Sequence, residues 1–374
     1  METVGIIAEY NPFHNGHLHH IKETKKLFPN AIVVLILNGY FLQRGELSLL
    51  SKEEKTRISL EYGVNLVIEL PFVFGTQAAD IFAYNSIKLL NELSVDKIVF
   101  GSEGNNPALL KEIADYQLNN LQHQEDVKQF MDAGMNYPTA MAKASKGNIS
   151  TPNDLLGISY IKAILQINSK MGYFTIQRTN DYHDNLSNDK IVSASNVREK
   201  IKNNIDIKKY IPKYSFEFDT KINIDYFDLL KYKIITEPKL NKYLTVDEGI
   251  ENRLKKFIYR ANSLEELIKL IKTKRYTHNR INRMFIHILI GLTKEDINTI
   301  QLDYINILGF DEEGKKYLNK IKKNLNLPIL NNKLTSKVLN YERIASAIYD
   351  LITNKNTMEF ETKNKPRKKA MKTF

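Results

Sequence analysis

The chain contains no cysteine. That absence excludes disulfides, thiol catalysis and cysteine-ligated zinc. No stretch approaches the roughly 20 consecutive apolar residues of a membrane span. The start, Met1-Glu2-Thr3-Val4, lacks the basic segment and small-residue cleavage site of a signal peptide. A cytoplasmic protein is expected, and no internal repeat is visible. Basic excess is also missing from the first half. Residues 1–200 carry 19 Lys and Arg against 22 Asp and Glu. The remainder carries 35 against 21, so all of the net charge of +11 arises there. A polyanion docking on the C-terminal half is the direct reading. An AT-rich genome would raise lysine in both halves, so the one-sided excess favours a nucleic-acid partner.

At 374 residues and 43% apolar content, the chain suits two domains with real cores. In the first half, apolar runs alternate with helical patterns. Strands are expected at 4–10, 31–37, 65–70, 96–100 and 173–177. Between them, helices are expected at 17–28, 51–62, 78–93, 109–121 and 154–167, and a last one opens near 194. Ser51 to Glu54 forms a capping box. Such alternation argues a Rossmann-like parallel sheet covered on both faces. Ligands then bind beyond the C-terminal strand ends. Four polar motifs fall there: His14–His17, Asn38-Gly39-Tyr40, Gly101-Ser102-Glu103 and Arg178-Thr179-Asn180.

After Lys200 the pattern changes. Residues 208–221 read as a connector. Helices follow at 249–260 (behind a Thr245–Glu248 capping box), 267–272 (behind Ser263–Glu266), 279–292 and 335–352. The expected division is a catalytic α/β domain over 1–205, a mostly helical basic domain over 206–360, and a basic, disordered tail over 361–374. That tail carries Lys363, Lys365, Arg367, Lys368, Lys369 and Lys372.

The segment His14-Asn15-Gly16-His17 follows the first strand and opens a helix. A helix start offers free N–H groups and a favourable dipole to an anion. Histidines there can add hydrogen bonds or charge to phosphate oxygens. His-x-x-His alone also suits a structural pair or a metal. Further ligands are lacking, with Glu9 the only upstream carboxylate nearby, and no metal is assigned. His19 and His20, one turn on, read as surface positions by themselves. The segment Val192-Ser193-Ala194-Ser195-Asn196-Val197-Arg198 opens another helix, where hydroxyls, N–H groups and Arg198 can hold phosphates. Gly101 leaves room for an adenine or ribose. Asn153 reads as an N-cap, and Arg178 as a phosphate or ring contact or a partner of Asp181 or Asp184. The loop 38–46 offers room for a second substrate. In the second half, Arg275, Arg280 and Arg283, with Lys272 and Lys274, form the densest basic group on a helix. Tyr276 and His278 among them are candidates for stacking on bases.

The first motif and the Ser193–Arg198 segment resemble those of nucleotidyltransferases and class I aminoacyl-tRNA synthetases. Extended from Gly5 to His17, and joined by Gln43-Arg44-Gly45-Glu46, Phe100-Gly101-Ser102-Glu103, Pro152-Asn153, Leu156-Gly157-Ile158, Glu248–Arg253, and Lys274–Thr277 through Arg280 and Arg283, the pattern resembles the bacterial tRNA(Met) cytidine acetate ligase family. That resemblance covers nearly the whole chain apart from the tail. It implies activation of acetate by ATP to acetyl-adenylate, with release of pyrophosphate. Acetyl transfer to N4 of the wobble cytidine (position 34) of elongator tRNA(Met) would follow. It implies catalytic roles for His14, His17, Ser195 and Arg198. It places ATP against Ile7, Ala8, Glu9, Tyr10, Asn11, Pro12, Phe13, His14, Asn15, Gly16, His17, Leu18, His19, His20, Gly101, Asn153 and Arg178. Magnesium is expected with ATP, without a dedicated cage. RNA contacts are expected at Lys272, Lys274, Arg275, Arg280 and Arg283. The alternatives are an adenylyltransferase acting on a small metabolite without RNA, and an RNA-binding protein with a vestigial nucleotide fold.

Overall fold

Alternating burial of β-branched and leucine side chains builds the centre of a twisted sheet. In the computed structural model, which describes residues 1–145, 149, 151–178, 189–217, 224–363 and 366–368, all seven residues of the second strand are buried. Ile32, Val34 and Ile36 face one core, while Val33, Leu35 and Leu37 face the other. A strand buried on both faces belongs inside a parallel sheet.

The first half runs β1 (Thr3–Ala8), α1 (Asn15–Leu27), β2 (Ile32–Asn38), α2 (Lys52–Glu61), β3 (Leu66–Leu70), α3 (Phe72–Gly75), α4 (Ala79–Glu92), β4 (Lys97–Ser102), α5 (Pro107–Asn119), α6 (Leu121–Asp132), α7 (Tyr137–Ala144), α8 (Pro152–Gln166), β5 (Gly172–Gln177) and α9 (Ala194–Lys202). The second half adds α10 (Phe227–Thr236), α11 (Ile250–Phe257), α12 (Leu264–Ile271), α13 (His278–Ile290), α14 (Lys294–Thr299), β6 (Ile307–Phe310), α15 (Glu312–Ile321), α16 (Lys337–Thr353), α17 (Met358–Lys363) and β7 (Arg367–Lys368). The sheet order is β5-β4-β1-β2-β3-β6-β7. The first five strands are mutually parallel, and β6 is antiparallel to β3. The chain winds outward from β1 on one side and then crosses to β4 on the other. The β1/β4 boundary is therefore the switch point, where a crevice opens at the carboxyl ends.

The α/β reading holds, with differences that have local causes. Helix α1 begins two residues before His17, because His14 itself caps it. The Ser51–Glu54 box forms as expected: Ser51 Oγ accepts from Glu54 N–H at 3.1 Å, and Glu54 Oε2 accepts from Ser51 N–H at 2.6 Å. The Thr245–Glu248 box does not form. Gly249, at φ +79°, precedes α11 without a side-chain cap, and Thr245 is drawn to the ring of His287. Strand β6 is four residues long, too short for a period-2 pattern. It extends the sheet into the second half, and one continuous core joins sheet, α10–α13 and α16. The connector folds back: Asn15 N–H donates to Tyr210 O at 2.9 Å, and Tyr214 OH bonds Phe13 O. Residues 218–223, including Lys221, lie outside the described residues.

The expected disordered tail is corrected where it is described. Phe360 packs on the core, Glu361 pairs with Lys52 at 2.8 Å, and Arg367–Lys368 pairs with β6. A buried carboxylate and a backbone ladder hold this stretch against the body. Lys365, Lys369 and Lys372 lie outside the described residues.

Candidate active site

The cleft is built from three local folds at the carboxyl ends of β1, β4 and β5. The first is the start of α1. His14, in extended conformation, accepts from Gly16 N–H through Nδ1 at 3.0 Å. His17 Nδ1 accepts from His14 N–H at 3.3 Å. A backbone N–H can only donate, so both Nδ1 atoms are acceptors and each neutral ring carries its proton on Nε2. The rings lie 3.8 Å apart, with Tyr10 edge-on to His17 at 4.8 Å. Burial, then Arg178 and Arg198, pushes His14 down to about 3. Burial, then His14, His20 and Arg178, holds His17 well below its ordinary value. With Nδ1 of each ring accepting and the charged form disfavoured by burial, an uncharged Nε2–H donor is the role open to the pair.

This arrangement has a consequence for acid stability. The unfolded chain binds a proton on His14 near pH 6.5, whereas the folded chain resists it down to about 3. The stabilisation is complete above pH 6.5 and is lost as pH falls below it. Two further histidines, half-buried His20 and buried His287, are depressed to about 4 and act in the same direction. His14→Asn keeps a capping acceptor. Its thermal midpoint is expected to fall less steeply than the parent's between pH 6.5 and 4.

The second element is α9. Ser193 caps it, its hydroxyl accepting from Asn196 N–H at 3.1 Å, and it is buried. The hydroxyl oxygen of Ser193 accepts in the cap, and Ser193 and Ser195 both line the cleft. Arg198 is held by Asn11 O at 2.9 Å, Ser195 Oγ at 3.3 Å and Glu46 Oε2 at 3.0 Å. The third element is β4 with the start of α8. Gly101 lines the cleft, and a Cβ there would sit 3.5 Å from Arg178. Thr151, not Asn153, occupies the N-cap position of α8. Pro152 takes the first helical position, which moves Asn153 into the first turn. There its amide donates to Glu103 Oε1 at 2.6 Å. Glu103 also accepts from Asp154 N–H at 3.1 Å, an acidic group at a helix start. Arg178 lies 3.9 Å from Glu103. Thr179, Asn180, Asp181 and Asp184 lie outside the described residues.

These elements enclose a cleft of about 290 Å³. His14, His17, Ser195 and Arg198 all line it, as do Ile7, Ala8, Glu9, Tyr10, Asn11, Gly16, His19, His20, Gly101, Asn153 and Arg178. His20 is therefore no surface position. Pro12, Phe13, Asn15 and Leu18 are outside the lining. Phe13 and Leu18 pack into the core beneath, and Asn15 is tied to the carbonyls of Lys190 and Lys209, both at 2.9 Å.

Sequence reasoning missed the frame around the cleft. Glu9 Oε1 accepts from Asn38 Nδ2 at 2.8 Å and Gln43 N–H at 2.6 Å, and burial raises its pKa. Lys55 is buried and lowered to about 7 by desolvation. Its Nζ donates to Asn38 O and Gly39 O at 2.6 and 2.7 Å and to Glu9 O at 3.2 Å, clamping the ends of β2 and β1. A lysine in a charged helix carries no sign of such a role. Within the loop 38–46, Leu42, Gln43, Arg44 and Glu46 line the cleft. Gly45, at φ +75°, lets the loop seat on α13: a Cβ there would come within 2.3 Å of Arg283 N. Gly45→Ala is expected to cost more than the ~1 kcal/mol of a left-handed residue, because the obstacle is backbone. A fall in thermal midpoint together with weaker nucleotide binding would register it.

The basic group on α13 differs from expectation. Tyr276 is buried, its hydroxyl accepting from Asp247 N–H at 2.8 Å and donating to Asp247 O at 2.7 Å, so it cannot stack on a base. Arg280 lies over the Tyr276 ring and pairs with Asp247 at 3.4 Å. Arg275 pairs with Glu248 at 3.5 Å. Arg283 turns inward to Gln43 O at 3.4 Å, and burial lowers it to about 10. Lys272, Lys274 and His278 remain exposed.

A parallel sheet with neutral histidine donors at a helix start and an arginine across the crevice defines a nucleotidyltransferase. The family described as HIGH Nucleotidyl Transferase matches residues 1–365. Proteins named tRNA(Met) cytidine acetate ligase from Fusobacterium nucleatum and Geobacillus sp. are 37% and 39% identical over 376 and 380 residues. They cover 93% and 94% of this chain, and the alignments span 95% of each relative. Crystal structures of Thermotoga maritima TmcAL superpose with TM-scores of 0.87 (apo) and 0.84 (bound with alpha-thio ATP). Their identities are 26% and 27%, over 95% of this chain and 96% and 95% of theirs. The chain belongs to the tRNA(Met) cytidine acetate ligase family of HIGH nucleotidyl transferases.

Proposed function

We propose that this protein activates acetate with ATP and transfers the acetyl group to N4 of the wobble cytidine of elongator tRNA(Met), giving N4-acetylcytidine. In the first step an acetate oxygen attacks the α-phosphorus and pyrophosphate leaves. In the second, the N4 amine attacks the acyl carbon, AMP leaves and N4 gives up a proton. The observation that carries this reading is the convergence of His14, His17, Ser195 and Arg198 on one cleft at the switch point. Phosphoryl chemistry of this kind needs positioning and charge stabilisation more than covalent help. Two neutral Nε2–H donors and Arg198 suit the transferring and leaving phosphates.

Glu46 holds Arg198 in place, and the incoming phosphates compete for that guanidinium. Magnesium enters in this reading with the triphosphate. Among the described residues no group of three or more His, Asp and Glu side chains could hold a metal ion. Glu9 and Glu46 are engaged by Asn38 and Arg198. Residues 1–205 carry the ATP chemistry, and 206–360 carry the RNA. Incubation with ATP, labelled acetate and tRNA(Met), followed by digestion to nucleosides, should place label in cytidine. Unlabelled cytidine despite bound ATP overturns the proposal.

A further inference from the structure

The arginines at the start of α13 are matched, and beyond the exposed Lys272 and Lys274 the question is which cations remain free to meet an RNA backbone. Arg275, Arg280 and Lys294 are matched by Asp247 and Glu248. Helix α11 and the turn after it are different. Ile250, Leu254 and Ile258 are buried against the core, which turns the opposite side of the segment outward. On that side Arg253, Lys256 and Arg260 follow the i, i+3, i+7 spacing of one helix stripe. All three cations surround the Phe257 ring, at 5.6, 5.6 and 5.8 Å. Lys255 and Tyr259 occupy the neighbouring stripe, and Tyr259 is 69% exposed. Among the described residues none of these four cations forms an ion pair with a carboxylate; Arg253 and Lys255 reach only the carbonyls of Leu270 and Pro238.

Position separates this face from the other lysine-rich helix. In α15, Lys315 and Lys316 pair with Glu312 and Glu313. Tyr317 of that helix bonds the carbonyl of Leu93, and Asp311 just before it bonds that of Asn65. Those carbonyls precede β4 and β3, at the sheet edge away from the cleft. Helix α11 packs on α10, and α10 packs on α13, which seats the cleft-wall loop at Gly45.

We infer that the outer face of α11 and its following turn, formed by Arg253, Lys255, Lys256, Tyr259 and Arg260, is a docking surface for the phosphate backbone of the RNA substrate. The inference rests on the proposed function for the identity of that RNA. Exposed, unmatched cations can displace counter-ions from phosphates, and an exposed tyrosine between them offers a ring to an unstacked base.

The test uses the full chain and an in vitro transcript of tRNA(Met), titrated at several salt concentrations. The triple variant R253A/K256A/R260A should bind the transcript at least tenfold more weakly. The slope of log K against log salt should become shallower by about 2, since each phosphate contact contributes about 0.7–0.9. Acetate-dependent ATP–pyrophosphate exchange, which needs no RNA, should stay within about twofold of the parent and shows that the variant is folded. Should the triple variant fail in exchange, the single K256A variant carries the test, with a slope change of about 0.7–0.9. Unchanged affinity and slope in a folded variant overturn the surface while leaving the proposed function intact. A parent protein that acetylates no cytidine overturns the proposed function, and this surface as a substrate dock with it.

Discussion

A His17→Ala protein is expected to lose acetate-dependent ATP–pyrophosphate exchange by about 10²–10³-fold, the loss seen when one preorganised donor to a developing charge is removed. His17 reaches the cleft as a neutral ring. Its Nδ1 is committed to His14 N–H at 3.3 Å, so Nε2–H is the donor left for a phosphate oxygen. Burial prevents the ring from becoming a cation at neutral pH. The exchange rate should therefore show no titration step near pH 6.5 attributable to this pair. His17→Asn keeps a side-chain acceptor for His14 N–H and should preserve the helix start while still losing exchange. That separates the chemical role from capping. Affinity for tRNA should stay near that of the parent. Exchange within about threefold of the parent would remove His17 from the catalytic role, and a full pH step at 6.5 would remove the neutral-donor argument.

The parts of this site that are legible in the sequence are local. An apolar strand running into His14–His17 declares a helix start, and Ser193–Arg198 declares another. Their convergence follows from strand alternation, because parallel strands deliver their carboxyl ends to one edge. The frame is not local. Lys55 clamps β1 and β2 through backbone carbonyls, and Glu9 holds the loop at Gln43. Neither contact leaves a spacing to read. The same limit governs the charges of the second half. Arg275 and Arg280 read as free cations, yet Asp247 and Glu248 reach them from a turn about 30 residues earlier. Strand β6 fails for another reason: four residues cannot display a period, and its antiparallel partner lies in the other half of the chain.

Lys52→Met is expected to lower stability by about 3–5 kcal/mol, the cost of removing one partner from a buried ionic group. The ammonium is fully buried and meets carboxylates from three places in the chain. Glu69 comes from β3, Glu342 from α16 at 2.7 Å and Glu361 from α17 at 2.8 Å. The carboxylates have other partners. Glu342 Oε2 accepts from Phe72 N–H at 2.6 Å, Glu69 Oε2 from Asn306 at 2.7 Å, and Glu361 from Tyr40 OH at 3.0 Å. Removing the cation would leave three carboxyl groups facing one another with no cation between them, so α16 and α17 should detach from the sheet before the sheet itself unfolds. One cation cannot balance three anions, and burial, with Glu342 next, pushes the Glu69 carboxyl up to about 8. The folded protein thus keeps a proton there that the unfolded chain releases near 4.5. Its contribution is full below that value and is lost as pH rises through about 8. Glu69→Gln removes the titration and keeps an oxygen for Asn306. In urea unfolding at pH 6 and pH 9, the parent should lose more stability on the alkaline side than E69Q. Equal losses in the two proteins would mean that Glu69 is ionised at neutral pH, with Lys52 alone holding the cluster together.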